Sequence, residues 1–121
     1  YSLPSSTDEE KAEKEKIMAS ALKEACQVPL AIMEKGAEIL DIVEILSVKG
    51  SVMAVSDAGV AAQFTRTAVL GASMNVYINT KTMKDRTLAE EYNEKADRLN
   101  AYTSEKADEI FKKIEEALKC R

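Results

Sequence analysis

The residues able to do chemistry are few, and most fall at two points of one stretch. Ser56 and Asp57 stand at its start, Asn75 and Asn79 near its finish, and Lys49 lies shortly ahead. Asp57 offers a carboxylate, which accepts two parallel hydrogen bonds from a ligand edge or stabilises a neighbouring cation. Asn75 and Asn79 are four positions apart, so on a helix they share a face and present two amide groups to one ligand. Lys49 supplies a point charge for an anionic group. Each has a plainer reading: an acid in a first turn offsets the helix dipole, asparagines near a helix end satisfy its last carbonyls, and a lysine at a helix C-terminus is solvated. Arg66 reads as exposed or partner-facing, and Tyr77, Tyr92 and Tyr102 at helical spacing read as core. The chain contains no His, which removes the commonest zinc ligand and every Ser-His or Cys-His nucleophile pair. Catalysis is left to carboxylates, amides, Lys, Tyr or backbone.

The elements that must position these residues are helical. Of 121 residues, 45% are hydrophobic and 31% charged, the composition of one globular unit. Lys and Arg alternate with Asp and Glu, and the net charge is −4, so no unopposed basic stripe marks a nucleic-acid partner. Cys26 and Cys120 are far apart and no signal-peptide pattern is present, which favours free thiols and a cytoplasmic setting. The opening Tyr1-Ser-Leu-Pro-Ser-Ser-Thr7 reads as a loop between elements, so a fragment or processed piece is expected.

Ser6 or Thr7 with Glu9 or Glu10 forms a capping box, predicting a helix start. Pro29 disfavours helical geometry at Val28, predicting an end or kink there and a second helix from Pro29 to about Val48, stopped by Gly50. Ser51 to Val55 is a short connection, and Ser56 is read as the N-cap of the next helix. Thr80 to Lys84 forms a break. From Asp85, apolar residues such as Leu88, Tyr92, Leu99, Ile110 and Ile114 keep a three-four spacing, giving a long amphipathic helix. No period-two alternation points to strands. The expected fold is all-α: an antiparallel bundle of four helices with a buried central helix and a long C-terminal one.

That central helix carries a single charge, Arg66, between Ala58 and Asn79. A helix that is apolar or small all round needs neighbours on every side. A membrane span is disfavoured by Gln63, Arg66 and the Ser, Thr and Asn content. Ala58, Gly59, Ala61, Ala62, Ala68, Gly71 and Ala72 admit close helix approach, within a subunit or across a symmetric dimer, so a homodimer or higher oligomer is expected.

Ala25-Cys-Gln-Val-Pro-Leu30, Lys49-Gly50, Ser56-Asp-Ala-Gly-Val-Ala-Ala62, Gly71-Ala72 and Asn75-Val-Tyr-Ile-Asn79, in this order, resemble the formiminotransferase-cyclodeaminase C-terminal domain family, which includes stand-alone methenyltetrahydrofolate cyclohydrolases. The resemblance implies that residues 1–121 are one helical domain, the C-terminal portion of a cyclodeaminase- or cyclohydrolase-like domain. It also implies a folate one-carbon enzyme acting on the bridge between N5 and N10 of tetrahydrofolate. Such an enzyme is a lyase-type cyclodeaminase, converting the 5-formimino to the 5,10-methenyl form with release of ammonia, or a hydrolase adding water to the methenyl carbon. Neither activity takes a metal or cofactor, and the tetrahydrofolate derivative is the substrate. The site residues implied are Ser56, Asp57, Asn75, Asn79 and Lys49, with Asp57 a supporting catalytic candidate that holds the pterin's amino-pyrimidinone edge or the cationic bridge.

Two departures stand out. The family's Gly-rich turn and the Asp-Ala-Asp-like segment to which its main acid/base is assigned would precede Tyr1, so this chain is expected to turn over poorly unless a companion chain completes the site. Ser51 and Met53 also replace asparagines. The alternative is a non-catalytic helical oligomerisation module. On a continuous helix Asp57 and Asn75 share a face about 27 Å apart, so one bicyclic ring reaches both only if antiparallel copies bring them together.

Overall fold

The computed structural model describes residues 1–120, which form three α-helices and one short 3-10 turn. Helix α1 spans Asp8–Lys49, the 3-10 turn Val52–Ala54, α2 Val55–Thr80 and α3 Arg86–Lys119. Helices α1 and α2 pack most extensively, α2 and α3 nearly as much, and α1 touches α3 along a narrower seam.

The start of α1 is the expected capping box. Thr7 Oγ1 accepts from the Glu10 amide at 3.1 Å, and Glu10 Oε2 accepts from the Thr7 amide at 3.1 Å and the Ser6 amide at 2.9 Å. The Ser6 hydroxyl also donates to this carboxylate, and these bonds hold the Glu10 carboxyl below its usual range. Asp8, Glu9 and Glu10 together oppose the positive helix end.

The predicted boundary at Pro29 is absent: α1 is continuous for 42 residues with Pro29 inside it. Proline deletes one helical hydrogen bond, but Pro29 is buried between Cys26, Leu30 and Met33, all in the core. Tertiary packing of that face outweighs the local cost, so three helices replace the expected four. The predicted stop is where the sequence placed it, with Gly50 as C-cap and its amide donating to Leu46 O at 2.8 Å.

Helix α2 begins two residues earlier than expected. Its N-cap is Ala54, with no side-chain cap, and Ser56 lies in the first turn. Ser51 supplies the nearest side-chain cap, accepting from the Met53 amide at 3.3 Å to start the 3-10 turn. Helix α3 is capped by Asp85, whose Oδ1 accepts from the Leu88 amide at 3.0 Å.

The core falls in two clusters. One joins Leu22, Cys26, Leu30 and Met33 of α1 to Val69, Ala72 and Val76 of α2 and to Ala89 and Ala96 of α3. The other joins Leu40 and Val43 to Ala62 and to Ala107, Ile110 and Ile114 at the opposite end. Between them α1 and α2 approach so closely that a Cβ on Gly36 would lie 2.2 Å from Val69 Cγ2. Ion pairs fasten α1 to α3 at the rim: Lys95 meets Glu34, and Lys106 meets Asp41 at 3.1 Å and Glu44 at 3.4 Å. Tyr102 donates to Asp41 and, with Lys106, lowers its pKa, while bonds to Tyr102 and Asp41 raise that of Lys106.

The expected burial of α2 on every side is corrected. Gly59, Ala62, Val69, Ala72, Ser73, Val76 and Thr80 are buried, but Val60, Phe64, Met74 and Ile78 are 52–72% exposed. Two neighbouring helices cover about half of a third, and nothing within the described residues covers the rest. No described helix is long and apolar enough to cross a membrane.

Candidate functional site

The turn between α1 and α2 shapes a cavity of about 340 Å³ around Asp57. Gly50 ends α1, the Ser51-capped 3-10 turn reverses the chain, and Asp57 follows in the first turn of α2. Leu46, Ala58 and Ala61 make the walls apolar, and Gly50 and Ser51 close one side. Asp57 is the one ionisable side chain on this lining. Asp57 is solvent-exposed at this cavity, so its carboxylate interacts more strongly with a cation or paired donors only once a bound ligand covers it against the apolar wall.

The sequence-predicted residues do not converge within one chain. Ser56 is turned to the other side of α2, onto a groove of about 300 Å³ against Phe111, Ile114 and Leu118 of α3. Lys49 is exposed at the end of α1 and lines neither cavity, where its charge complements the helix dipole. Asn75 is exposed near the far end of α2. Asn79 is half-buried, and its Nδ2 donates to Asn75 O at 2.7 Å, so part of its hydrogen-bonding capacity is spent on its own helix. With α2 unbroken from Val55 to Thr80, Asp57 and Asn75 remain about 27 Å apart at 1.5 Å per residue.

Sequence reasoning missed a polar seam between α2 and α3. Tyr77 donates to Asp97 and accepts from Asn100 Nδ2 at 3.3 Å, and Thr80 Oγ1 lies 2.6 Å from Asn93 Oδ1. Desolvation, then the bond to Asp97, pushes the Tyr77 phenol up to about 12. The signal was available: Asn93, Asp97 and Asn100 recur at helical spacing within an otherwise apolar stripe. These bonds tie α2 to α3 and align the two helices.

A larger cavity, about 640 Å³, lies between the N-terminal segment, the start of α1 and the α2–α3 connection. It contains none of the predicted site residues. Lys84 is already paired with Glu15, and Lys14 donates to Tyr1 O at 2.9 Å. Among the described residues no group of three or more Cys, Asp or Glu is placed to hold a metal ion.

A family model described as formiminotransferase-cyclodeaminase matches residues 1–98. A methenyltetrahydrofolate cyclohydrolase of Methylorubrum extorquens is 44% identical over 91 residues, covering 75% of this chain and 44% of that protein. Formimidoyltransferase-cyclodeaminases of Sus scrofa and Rattus norvegicus are 36% and 34% identical over 83 and 88 residues. Those alignments cover 69% and 73% of this chain but 15% and 16% of the relatives. The chain thus spans less than half the length of these relatives.

Proposed function

Because this chain belongs to the formiminotransferase-cyclodeaminase family, we propose that it acts on the one-carbon bridge between N5 and N10 of tetrahydrofolate, as a cyclodeaminase or a methenyltetrahydrofolate cyclohydrolase. The observation that carries the reading is Asp57, the one ionisable side chain on an otherwise apolar and small-residue cavity wall at the α1–α2 turn. The substrate's amidinium-type carbon is itself the electrophile, so the reaction takes no metal or other cofactor. A group beside it must favour the cationic bridge as it forms or decays, and a carboxylate does so most effectively where water is excluded. Asp57 fills this role or holds the pterin's amino-pyrimidinone edge. Ser56, Asn75, Asn79 and Lys49 serve substrate binding, with the Asn pair contributed by a second copy of the chain in a homodimer. A segment like the family's acidic one, in this protein or in a companion chain, supplies the principal acid/base, and the setting is cytoplasmic.

The second reading, a helical assembly module without catalysis, is favoured by the exposed apolar side of α2, where Phe64 is 72% exposed. Titration of the chain with 5-formyl-tetrahydrofolate separates the two. The enzyme reading expects saturable binding that Asp57→Asn weakens by roughly tenfold or more, the loss of about 1.5–3 kcal/mol expected for a hydrogen bond to a charged group. Loss of methenyl absorbance without ammonia then identifies the cyclohydrolase, and ammonia release from the 5-formimino form the cyclodeaminase. Neither binding nor turnover, alone or with the companion chain, would leave only the assembly module.

A further inference from the structure

Acids and lysines alternate along the first turns of α1, but the fold sorts them. Lys11, Lys14 and Lys16 line the cavity of about 640 Å³ beside the N-terminal segment, and Lys84 joins them from the α2–α3 connection. Glu10 and Glu13 line a separate, smaller hollow with Leu3, Pro4 and Ile17. Glu15 is the one carboxylate on the larger cavity, and it is paired with Lys84. Lys14 donates to Tyr1 O, while Lys11 and Lys16 form no ion pair among the described residues. Four lysines against one acid make this lining cationic on a chain whose net charge is −4. The cavity also has a direction. Leu22, at its inner end, belongs to the core cluster with Met83, and half-buried Met18 lies one turn nearer the start of α1. Lys16, Lys14 and Lys11 follow at about 9–16 Å from Leu22 along the helix. Ala12 and Ala19 add no bulk to fill the space between.

We propose that this cavity binds a single-chain carboxylate of fatty-acid type, its apolar tail directed at Met18 and Leu22 and its carboxylate held by Lys11 and Lys16. The volume is that of a small-molecule site, and such sites are mostly apolar with a few charged groups that fix orientation. The lysines contribute twice: their methylene stems extend the apolar wall, and their ammonium groups reach the opening. A carboxylate placed there makes charge-assisted hydrogen bonds, whereas an alkyl ammonium of the same length meets like charge. Lysine suits a single carboxylate head, because its ammonium is a point charge on a flexible stem and gathers on the anion from either side. The cavity shares no residue with the candidate folate site. Asp57 stands in the first turn of α2, and Thr82 and Lys84 of the cavity follow its last turn. Occupancy of the one therefore does not require the other.

Titration with decanoate below its micellar range, followed by amide chemical shifts, tests the site. Saturable shifts are expected at Lys11–Leu22 and Thr82–Lys84, with decanol about tenfold weaker for want of the charged head and decylamine without effect. Lys11→Gln with Lys16→Gln weakens decanoate about fivefold, as two partly exposed ion pairs allow, and leaves decanol unchanged. Ala19→Phe, at an exposed helical position, fills the cavity, keeps the helicity seen by circular dichroism and abolishes binding. The proposal is overturned by an absence of saturable shifts, by decylamine or decanol matching decanoate, or by undiminished binding in either folded variant. Shifts confined to the exposed side of α2 at Val60, Phe64, Met74 and Ile78 also overturn it, because they mark adsorption to apolar surface. So does displacement of decanoate by 5-formyl-tetrahydrofolate, which would hand the cavity to the folate substrate. Decanoate bound at the cavity with no folate binding anywhere removes the folate reading and leaves this site standing.

Discussion

Gly36→Ala is expected to destabilise the protein, although alanine is the better helix former. Helical propensity alone favours the change by about 1 kcal/mol. Against it, the new methyl would lie 2.2 Å from Val69 Cγ2, where nothing real sits under 3 Å. Val69 is fully buried and β-branched, held in one dominant helical rotamer, so it cannot swing aside. The helices must part locally, at about 1–3 kcal/mol for overpacking a filled core. The net expectation is a loss of about 1 kcal/mol, a fall of about 4 °C in melting temperature for a chain of this length. Val69→Ala in the same molecule removes the obstructing methyl. In that background Gly36→Ala becomes neutral or stabilising, so urea titrations of the four variants give a coupling of about 1–2 kcal/mol. A Gly36→Ala that stabilises, or that costs the same in both backgrounds, would refute the close approach as the reason for glycine.

Raising the pH probes the α2–α3 seam. The folded protein holds Tyr77 protonated up to about 12, so its contribution is complete below 10 and is lost as pH climbs towards 12. Phenolate absorbance is expected to show one late-titrating tyrosine, absent in Tyr77→Phe. Acid probes the rim: Asp41 is lowered by Tyr102 and Lys106, so stability it lends above its unfolded value disappears as pH falls through the folded one, and Asp41→Asn flattens that part of the pH-stability profile. Thr7→Ala, which removes the acceptor of the Glu10 amide, is expected to cost about 1 kcal/mol or to fray the first turns in hydrogen exchange.

Much of this fold was legible from local chemistry. The Thr7–Glu10 box, the stop at Gly50 and the run from Asp85 are dictated by residues close in sequence, and each stands where the side chains required. Pro29 and Ser56 were misread for the same reason: local rules place a boundary at the one and a cap at the other. Pro29 is carried through because its face is core, and the chain turns earlier because Ser51 caps the 3-10 turn. The composition of α2 showed that it needs neighbours, but not that α1 and α3 would leave the side bearing Val60, Phe64, Met74 and Ile78 exposed. Of the site, Asp57 was visible as the acid after a helix start. The cavity beside it was not, since Leu46 and Ala61 come from different helices and meet only in three dimensions.

Amide chemical shifts on adding 5-formyl-tetrahydrofolate test the central claim most directly. Perturbations confined to Gly50–Ala61 and Asn75–Lys81, lost together in Asp57→Asn, are the predicted result. Shifts clustered instead around Lys11–Leu22 and Lys84, with the turn before α2 unmoved, would contradict it.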